Sequence, residues 1–242
     1  MRVSALDLRW MRRLLSSWQQ QQQQWVLPAT RRACSSLSDR LYRDLTSRQL
    51  PLTFDYMHPQ SSYLLSLTLA DLLPTLTPAP NDLPSARSTS RMPAGHHLVY
   101  FPPQVTLSQL LPDGTDTLHA PGSPFDRRLW AGGSVRFPAS NALTLNGSRA
   151  VCIETIRDVI VKGRPGDEKI LVRIERRIGT AQEGEDNRNI RERIWKEIED
   201  ETGQASVIET RNLLFMREKT TEQLNHDKAS FDMETRAIRC AR

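Results

Sequence analysis

Two β-rich runs joined by a tight turn constrain this chain more than any other feature. Residues 150–162, AVCIETIRDVIVK, are dominated by β-branched and other apolar side chains, and residues 169–177, KILVRIERR, follow the turn Gly163-Arg164-Pro165-Gly166. In the second run Ile170, Val172 and Ile174 alternate with Leu171, Arg173 and Glu175. Successive side chains of a strand point to opposite faces, so this period of two predicts one buried and one wet face. With Gly and Pro between them, the two runs predict a long antiparallel hairpin.

Other segments fill in the architecture. Residues 206–216 predict a further strand, with Val207 and Ile208 leading to Leu213, Leu214 and Phe215. Short apolar runs at 98–101, stopped by Pro102-Pro103, and at 134–137, between Gly133 and Pro138, read as strands as well. A helix is expected over 61–73, where six leucines (Leu64, Leu65, Leu67, Leu69, Leu72, Leu73) show partial helical spacing before Pro74 ends it. The clearest helical pattern covers 187–201: Ile190, Ile194 and Ile198 recur every fourth residue, Trp195 widens the stripe, Glu192 is spaced to pair with Lys196, and Gly203 stands where a C-cap is wanted. Residues 74–94, rich in Pro, Ser and Thr, predict an exposed linker, and residues 221–242 lose apolar content and predict a frayed tail. Long antiparallel strands with few helices give an α+β fold, because a parallel sheet needs a helix between successive strands.

Charge is segregated along the chain. The formal net charge is +5, and residues 1–38 hold six arginines (Arg2, Arg9, Arg12, Arg13, Arg31, Arg32) against Asp7 alone, so the remainder is neutral. A nucleic-acid binder needs basic side chains gathered on its folded surface to displace counterions from phosphates, and a neutral body offers no such excess. The first 38 residues are instead rich in Arg and Ser, nearly free of acid, and carry an amphipathic stretch at 6–18 with Leu6, Leu8, Trp10, Leu14 and Leu15 among basic residues. These are features of a mitochondrial presequence, with cleavage expected just after Arg31-Arg32-Ala33-Cys34. Its apolar runs are too short and too interrupted for a secretory signal or a membrane span. Cys34, Cys152 and Cys240 are odd in number, with no CxxC, which fits a reducing compartment better than a disulfide framework or a zinc site.

Few residues outside that leader suggest chemistry. His96-His97 lack a second cluster at ligand spacing and are read as structural, with no metal site expected. His119, in a Gly/Pro-rich loop, reads as solvated or bonded to backbone. Asn146-Gly147-Ser148 matches a glycosylation sequon but serves better as a hairpin turn. In Arg127-Arg128-Leu129-Trp130-Ala131-Gly132-Gly133, arginine could reach an anionic carrier, Trp130 could wall an acyl groove and the glycines could allow close backbone approach. Alternatively Trp130 belongs to the core and Gly132-Gly133 only opens the next strand.

Residues 95–133, GHHLVYFPPQVTLSQLLPDGTDTLHAPGSPFDRRLWAGG, follow neither period. This stretch resembles the non-catalytic first half of the fungal mitochondrial type 2 hydroxyacyl-thioester dehydratases, double hot-dog proteins related to the MaoC-like hydratases. The resemblance continues through RAVCIETIRDV (149–159), IERRIG (174–179) and RNLLFMREKT (211–220), and spans most of residues 53–237. It implies a hot-dog, a curved antiparallel sheet around a central helix, here the segment 61–73, as one half of a double hot-dog occupying residues 39–220. It also implies a role in organellar fatty acid synthesis in the mitochondrial matrix, converting 3-hydroxyacyl thioesters on acyl carrier protein or CoA to trans-2-enoyl thioesters without a cofactor. In such enzymes the first half shapes the acyl tunnel, which makes His119, Arg128, Trp130, Gly132 and Gly133 the expected substrate-binding residues. The family's catalytic Asp and His belong to a second hot-dog, expected about where this chain ends at Arg242, so no residue here is assigned a catalytic role. The rival expectation is a non-catalytic hot-dog that only binds acyl chains or a partner. Association through an exposed hot-dog face is expected in either case.

Overall fold

The alternation read from residues 150–177 builds the centre of the sheet. The computed structural model describes residues 36–73, 82–86, 89–111, 114–225 and 228–229. Five strands, β1 (Thr53–Tyr56), β2 (Arg127–Arg136), β3 (Arg149–Lys162), β4 (Lys169–Thr180) and β5 (Val207–Met216), form one sheet in the order β1-β3-β4-β5-β2. Every neighbouring pair is antiparallel. The β3–β4 pair is the expected hairpin, with Val159 opposite Val172 and Lys162 opposite Lys169. The expected strand at 134–137 is the end of a longer β2, whose first residue is Arg127. This curved antiparallel sheet with few helices is the α+β architecture expected of a hot-dog.

Two single-residue bulges interrupt the ladders, and a bulge bends and twists its strand. In β3 Arg157 is the extra residue between the pairs Ile156–Ile174 and Asp158–Arg173. In β2, Ala131 and Gly132 together oppose only Asn212. The glycines make the second bulge feasible: Gly132 has φ +114°, and a Cβ on Gly133 would lie 2.1 Å from the Thr210 carbonyl oxygen.

The sheet buries both faces differently. On one face, called here the inner face, Ala150, Cys152, Ile178 and Val207 pack against Tyr100, Phe101, Leu143 and Leu145 at one end. At the other end Ile156, Ile174, Val172, Leu213 and Phe215 pack against helix α1 (Ser36–Thr46) and Phe125. Leu37, Leu41 and Leu45 form a single stripe on α1, with Leu41 and Leu45 buried. Burying each contributes roughly 2 kcal/mol. On the opposite face Val151, Ile153 and Ile208 meet Ile190 and Ile194 of α3 (Asn187–Ile194).

Several expectations are corrected. The helix over 61–73 forms as α2 (Pro59–Ala70), with Pro59 preset in its first turn, but it is not central: only Pro59 and Ser62 are buried, and Leu64, Leu67, Leu72 and Leu73 are exposed. Its leucines are spread around the helix rather than gathered on one stripe, so it has no face to bury. The segment 98–101 is not a strand. Residues His96–Val99 form a 3-10 turn entered through Gly95 at φ +87°, and the Pro102-Pro103 pair removes two backbone donors that a sheet would need. The helix expected over 187–201 stops at Ile194, because the carbonyls beyond it are taken by arginines: Arg157 donates to Lys196 O at 3.0 Å, and Arg177 to Glu201 O at 2.6 Å and Ile198 O at 3.3 Å. Of the expected leader, residues 1–35 lie outside the described residues, as do 74–81, 87 and 88 of the linker, Asp113, and 226, 227 and 230–242 of the tail.

Candidate functional site

The inner face should be aliphatic throughout, yet at its middle three adjacent strands place charged residues in register. Glu154 of β3 lies opposite Arg176 of β4, which lies opposite Glu209 of β5, with Arg211 two residues along β5. Arg176 bridges the two carboxylates, with Nε 2.5 Å from Glu154 Oε1 and Nη1 2.9 Å from Glu209 Oε2. Arg211 Nε takes the other Glu209 oxygen at 2.8 Å. Alternating signs satisfy one another, which is what allows charges to be buried at all.

Two histidines close on this network from the loops. His119 Nε2 lies 3.1 Å from Glu154 Oε2, an ion-pair distance without the alignment of a directed hydrogen bond, and its Nδ1 lies 4.0 Å from Asp116 Oδ1. The His119 loop is held from α1's end: Arg48 Nη1 donates to the carbonyls of Leu118 and Ala120 at 3.1 and 2.9 Å. Asp116 Oδ1 accepts from Leu118 N–H at 2.9 Å, fixing the same turn. His97 is buried, with Nε2 3.7 Å from Glu209 Oε2 and its ring edge-on to Phe137. Burial pulls the His97 pKa down, against the opposing pull of Glu209, and burial likewise lowers His96, whose Nδ1 is 2.6 Å from Ser62 Oγ.

Glu154 stays ionised. Burial alone would raise its carboxyl, but His119, Arg176 and Arg211 outweigh that and hold it at about 2. Cys152, two residues away on the same face, is pushed up to about 12 by burial and is no nucleophile.

The network forms the floor of a cavity of about 390 Å³. Glu154, Arg176, Arg211 and His119 line it together with the apolar side chains of Trp130, Val105, Ile174 and Leu213. Its rim is pinned to β1: Phe101 N–H donates to Asp55 Oδ2 at 2.8 Å and Gln104 Nε2 to Phe54 O at 2.5 Å. Phe101 is buried at φ +59°, a conformation that a bulky residue adopts only where its surroundings enforce it. The lining mixes apolar side chains with charged ones, and the volume is within the range of small-molecule sites.

Of the five residues expected to bind substrate, the structure brings His119, Arg128 and Trp130 together in this lining. Trp130 is 57% exposed, so it is cavity wall and not core. Gly132 and Gly133 lie at the β2 bulge, where the close approach is to the backbone of β5 and not to the cavity lining. Glu154, Arg176, Glu209 and Arg211 escaped the sequence reading. Their signal was present: Glu154 and Arg176 each stand between apolar residues two positions away along the strand, the pair Glu209 and Arg211 stands between Val207 and Leu213, and charges in register with a buried face mark a network. Among the described residues no group of three or more His, Cys, Asp or Glu is placed to hold a metal ion, and no helix is long and apolar enough to cross a membrane.

The sequence model of the hydroxyacyl-thioester dehydratase type 2 family matches residues 95–239, which include the cavity floor and most of its wall. The chain belongs to this family. No curated protein matches it.

Proposed function

We propose that this chain binds the acyl arm of a 3-hydroxyacyl thioester in the cavity and serves its dehydration to the trans-2-enoyl thioester, on acyl carrier protein, in mitochondrial fatty acid synthesis. The observation that carries the reading is the cavity itself, whose lining combines the apolar Trp130, Ile174 and Leu213 with His119 and Glu154. Arg128, in the lining and in no ion pair with another described residue, is suited to an anionic group on the carrier. The arginine-rich leader supports a mitochondrial address. The edge strand β2, with Leu129 and Val135 exposed, supports association with a second hot-dog.

Calorimetric titration of the purified chain with a saturated acyl-pantetheine thioester tests the acyl-binding part. Trp130→Ala should weaken binding about tenfold while leaving the chemical step nearly unchanged, because a wall contacts ground and transition states alike. Absence of any binding by the unmutated chain would remove the reading.

A further inference from the structure

We propose that the cavity selects acyl groups whose far end carries a carboxylate, with Arg211 as the residue that recognises it. The inference rests on the reading above, that an acyl thioester occupies the cavity, and deepens it by naming the class of acyl group.

Donors and acceptors in the lining are not matched. Both oxygens of Glu154 are occupied, Oε1 by Arg176 Nε and Oε2 by the edge of His119. Arg176, its side chain only 6% exposed, is committed to Glu154 and Glu209. Arg211 differs. Its side chain is 28% exposed, and among the described residues only its Nε has a partner, a Glu209 oxygen. The two Nη groups, with their N–H donors in a planar fork, are therefore open in the cavity that Arg211 lines. Asp116 is the other acid of the lining, and its Oδ1 already accepts from the Leu118 N–H. With Glu209 buried beneath, the lining presents Arg128, Arg176 and Arg211 against Glu154 and Asp116, an excess of positive charge.

The surroundings of Arg211 are otherwise apolar. Ile174 stands opposite it on β4, and Leu213 follows two residues along β5. Its partner on β2 is Gly133, which brings no side chain, and the Trp130 ring lies 3.4 Å from where a Gly133 Cβ would stand. An acyl chain lying along Trp130, Ile174 and Leu213 thus has a guanidinium among its hydrocarbon contacts. A methyl end brought against Arg211 would strip water from charged donors and offer nothing in return, which is the unfavourable way to bury a polar group. A carboxylate offers two acceptor oxygens in the geometry that the fork matches, and the apolar neighbours strengthen the pairing. The carrier's anionic group does not fill this role. Arg128, which suits that group, lies opposite Phe215 in the ladder, with the Trp130–Leu213 pair between it and Arg211.

The test is calorimetric titration of the full chain with three pantetheine thioesters of equal length, ending in a methyl, a carboxylate or a carboxamide. Pantetheine has no phosphate, so the carboxylate is the only anion offered. The carboxylate-ended thioester should bind about tenfold tighter than the methyl-ended one, and the carboxamide should gain little. Arg211→Gln should erase the difference, while Arg211→Lys, which keeps the charge without the fork, should retain part of it. The carboxamide comparison needs no variant, so it decides even where Arg211→Gln fails to fold. Phosphopantetheine thioesters separate the two sources of negative charge: added phosphate should tighten all three ends alike through Arg128, and a carboxylate preference that vanishes with phosphate present would assign Arg211 to the carrier and overturn the inference. Equal binding of methyl and carboxylate ends, a carboxamide as good as the carboxylate, or a preference that survives Arg211→Gln also overturns it and leaves the acyl-binding role standing. No binding of any of the three removes the role itself.

Discussion

Glu154 occupies a position where the alternation of β3 calls for an aliphatic side chain, between Cys152 and Ile156. A lone carboxylate there would cost several kcal/mol, and only the Arg176 contact and the His119 edge make it tolerable. The balance leaves the carboxyl at about 2, below its ordinary value of 4.5. The sign follows from linkage: between these values the unfolded chain binds a proton that the folded chain does not, so acid favours unfolding. The stabilisation from this group is complete above pH 4.5 and is lost as pH falls toward 2, on the order of 3 kcal/mol in all. Glu168 and Glu185, held at about 2 by Arg217 and Arg193, add slopes of their own that substitution at residue 154 does not remove. Urea unfolding at a series of pH values should therefore show Glu154→Gln less stable than the unmutated protein at pH 7 but with a shallower decline into acid. Parallel declines would mean that Glu154 titrates normally. At the same scale, the inward charges of the network were legible in principle from their register with apolar neighbours. Their partners were not, because β5 meets β4 only in the folded sheet.

Element boundaries show where sequence periodicity loses to tertiary contacts. Strands β3, β4 and β5 were legible because their apolar alternation is long and the sheet obeys it. The stripe Leu37, Leu41 and Leu45 of α1 was equally legible, but it straddles residue 38, where the arginine-rich composition ends, so its first turn reads as part of the leader. Helix α3 is the instructive case. Its start is local, since Asp186 Oδ2 accepts from Arg188 N–H at 2.9 Å, and its face is local, since Ile190 and Ile194 are fully buried. Its end is not local: Ile198, next on the stripe, is exposed, because the buried Arg177 guanidinium draws in the carbonyls around it. Arg177 also pairs with Glu175, which Arg157 shares at 2.7 Å, and Trp195 covers the Arg157 guanidinium at 4.3 Å. Replacing Arg177 by Leu should destabilise the fold by about 3 kcal/mol or more, because it leaves the buried Glu175 with Arg157 alone and takes the donor from the carbonyls of Ile198, Glu199 and Glu201 at once. Hydrogen exchange should show lost protection across residues 196–201 while Ile190 and Ile194 amides stay protected. Uniform loss over α3 would show that its end is set within the helix after all.

At the scale of the whole molecule, the change in charge along the sequence falls close to the first described core residues. The arginine excess ends by residue 38, and beyond it acids and bases balance, many of them inside the protein as closed pairs such as Glu154–Arg176 and Glu209–Arg211. Among the described residues the first buried core side chains, Leu41 and Leu45 of α1, follow close behind and belong to one cluster with Phe125 and Ile174. A presequence can be removed without harm only if cleavage spares this helix. Cleavage just after Arg31-Arg32-Ala33-Cys34 meets that condition, because α1 starts at Ser36. Cleavage a turn or more inside α1 would take Leu37 and then Leu41 from the core, at roughly 2 kcal/mol for each leucine. Residues 1–45 joined to a fluorescent reporter should therefore enter mitochondria, and changing Arg12, Arg13, Arg31 and Arg32 together to Glu should abolish entry by removing the positive face that import reads. The imported full chain should have an N-terminus upstream of Leu37. A diffuse cytosolic signal from the unmutated fusion would remove the mitochondrial assignment, whereas import followed by cleavage within α1 would keep the address and show that the core tolerates the loss of the helix.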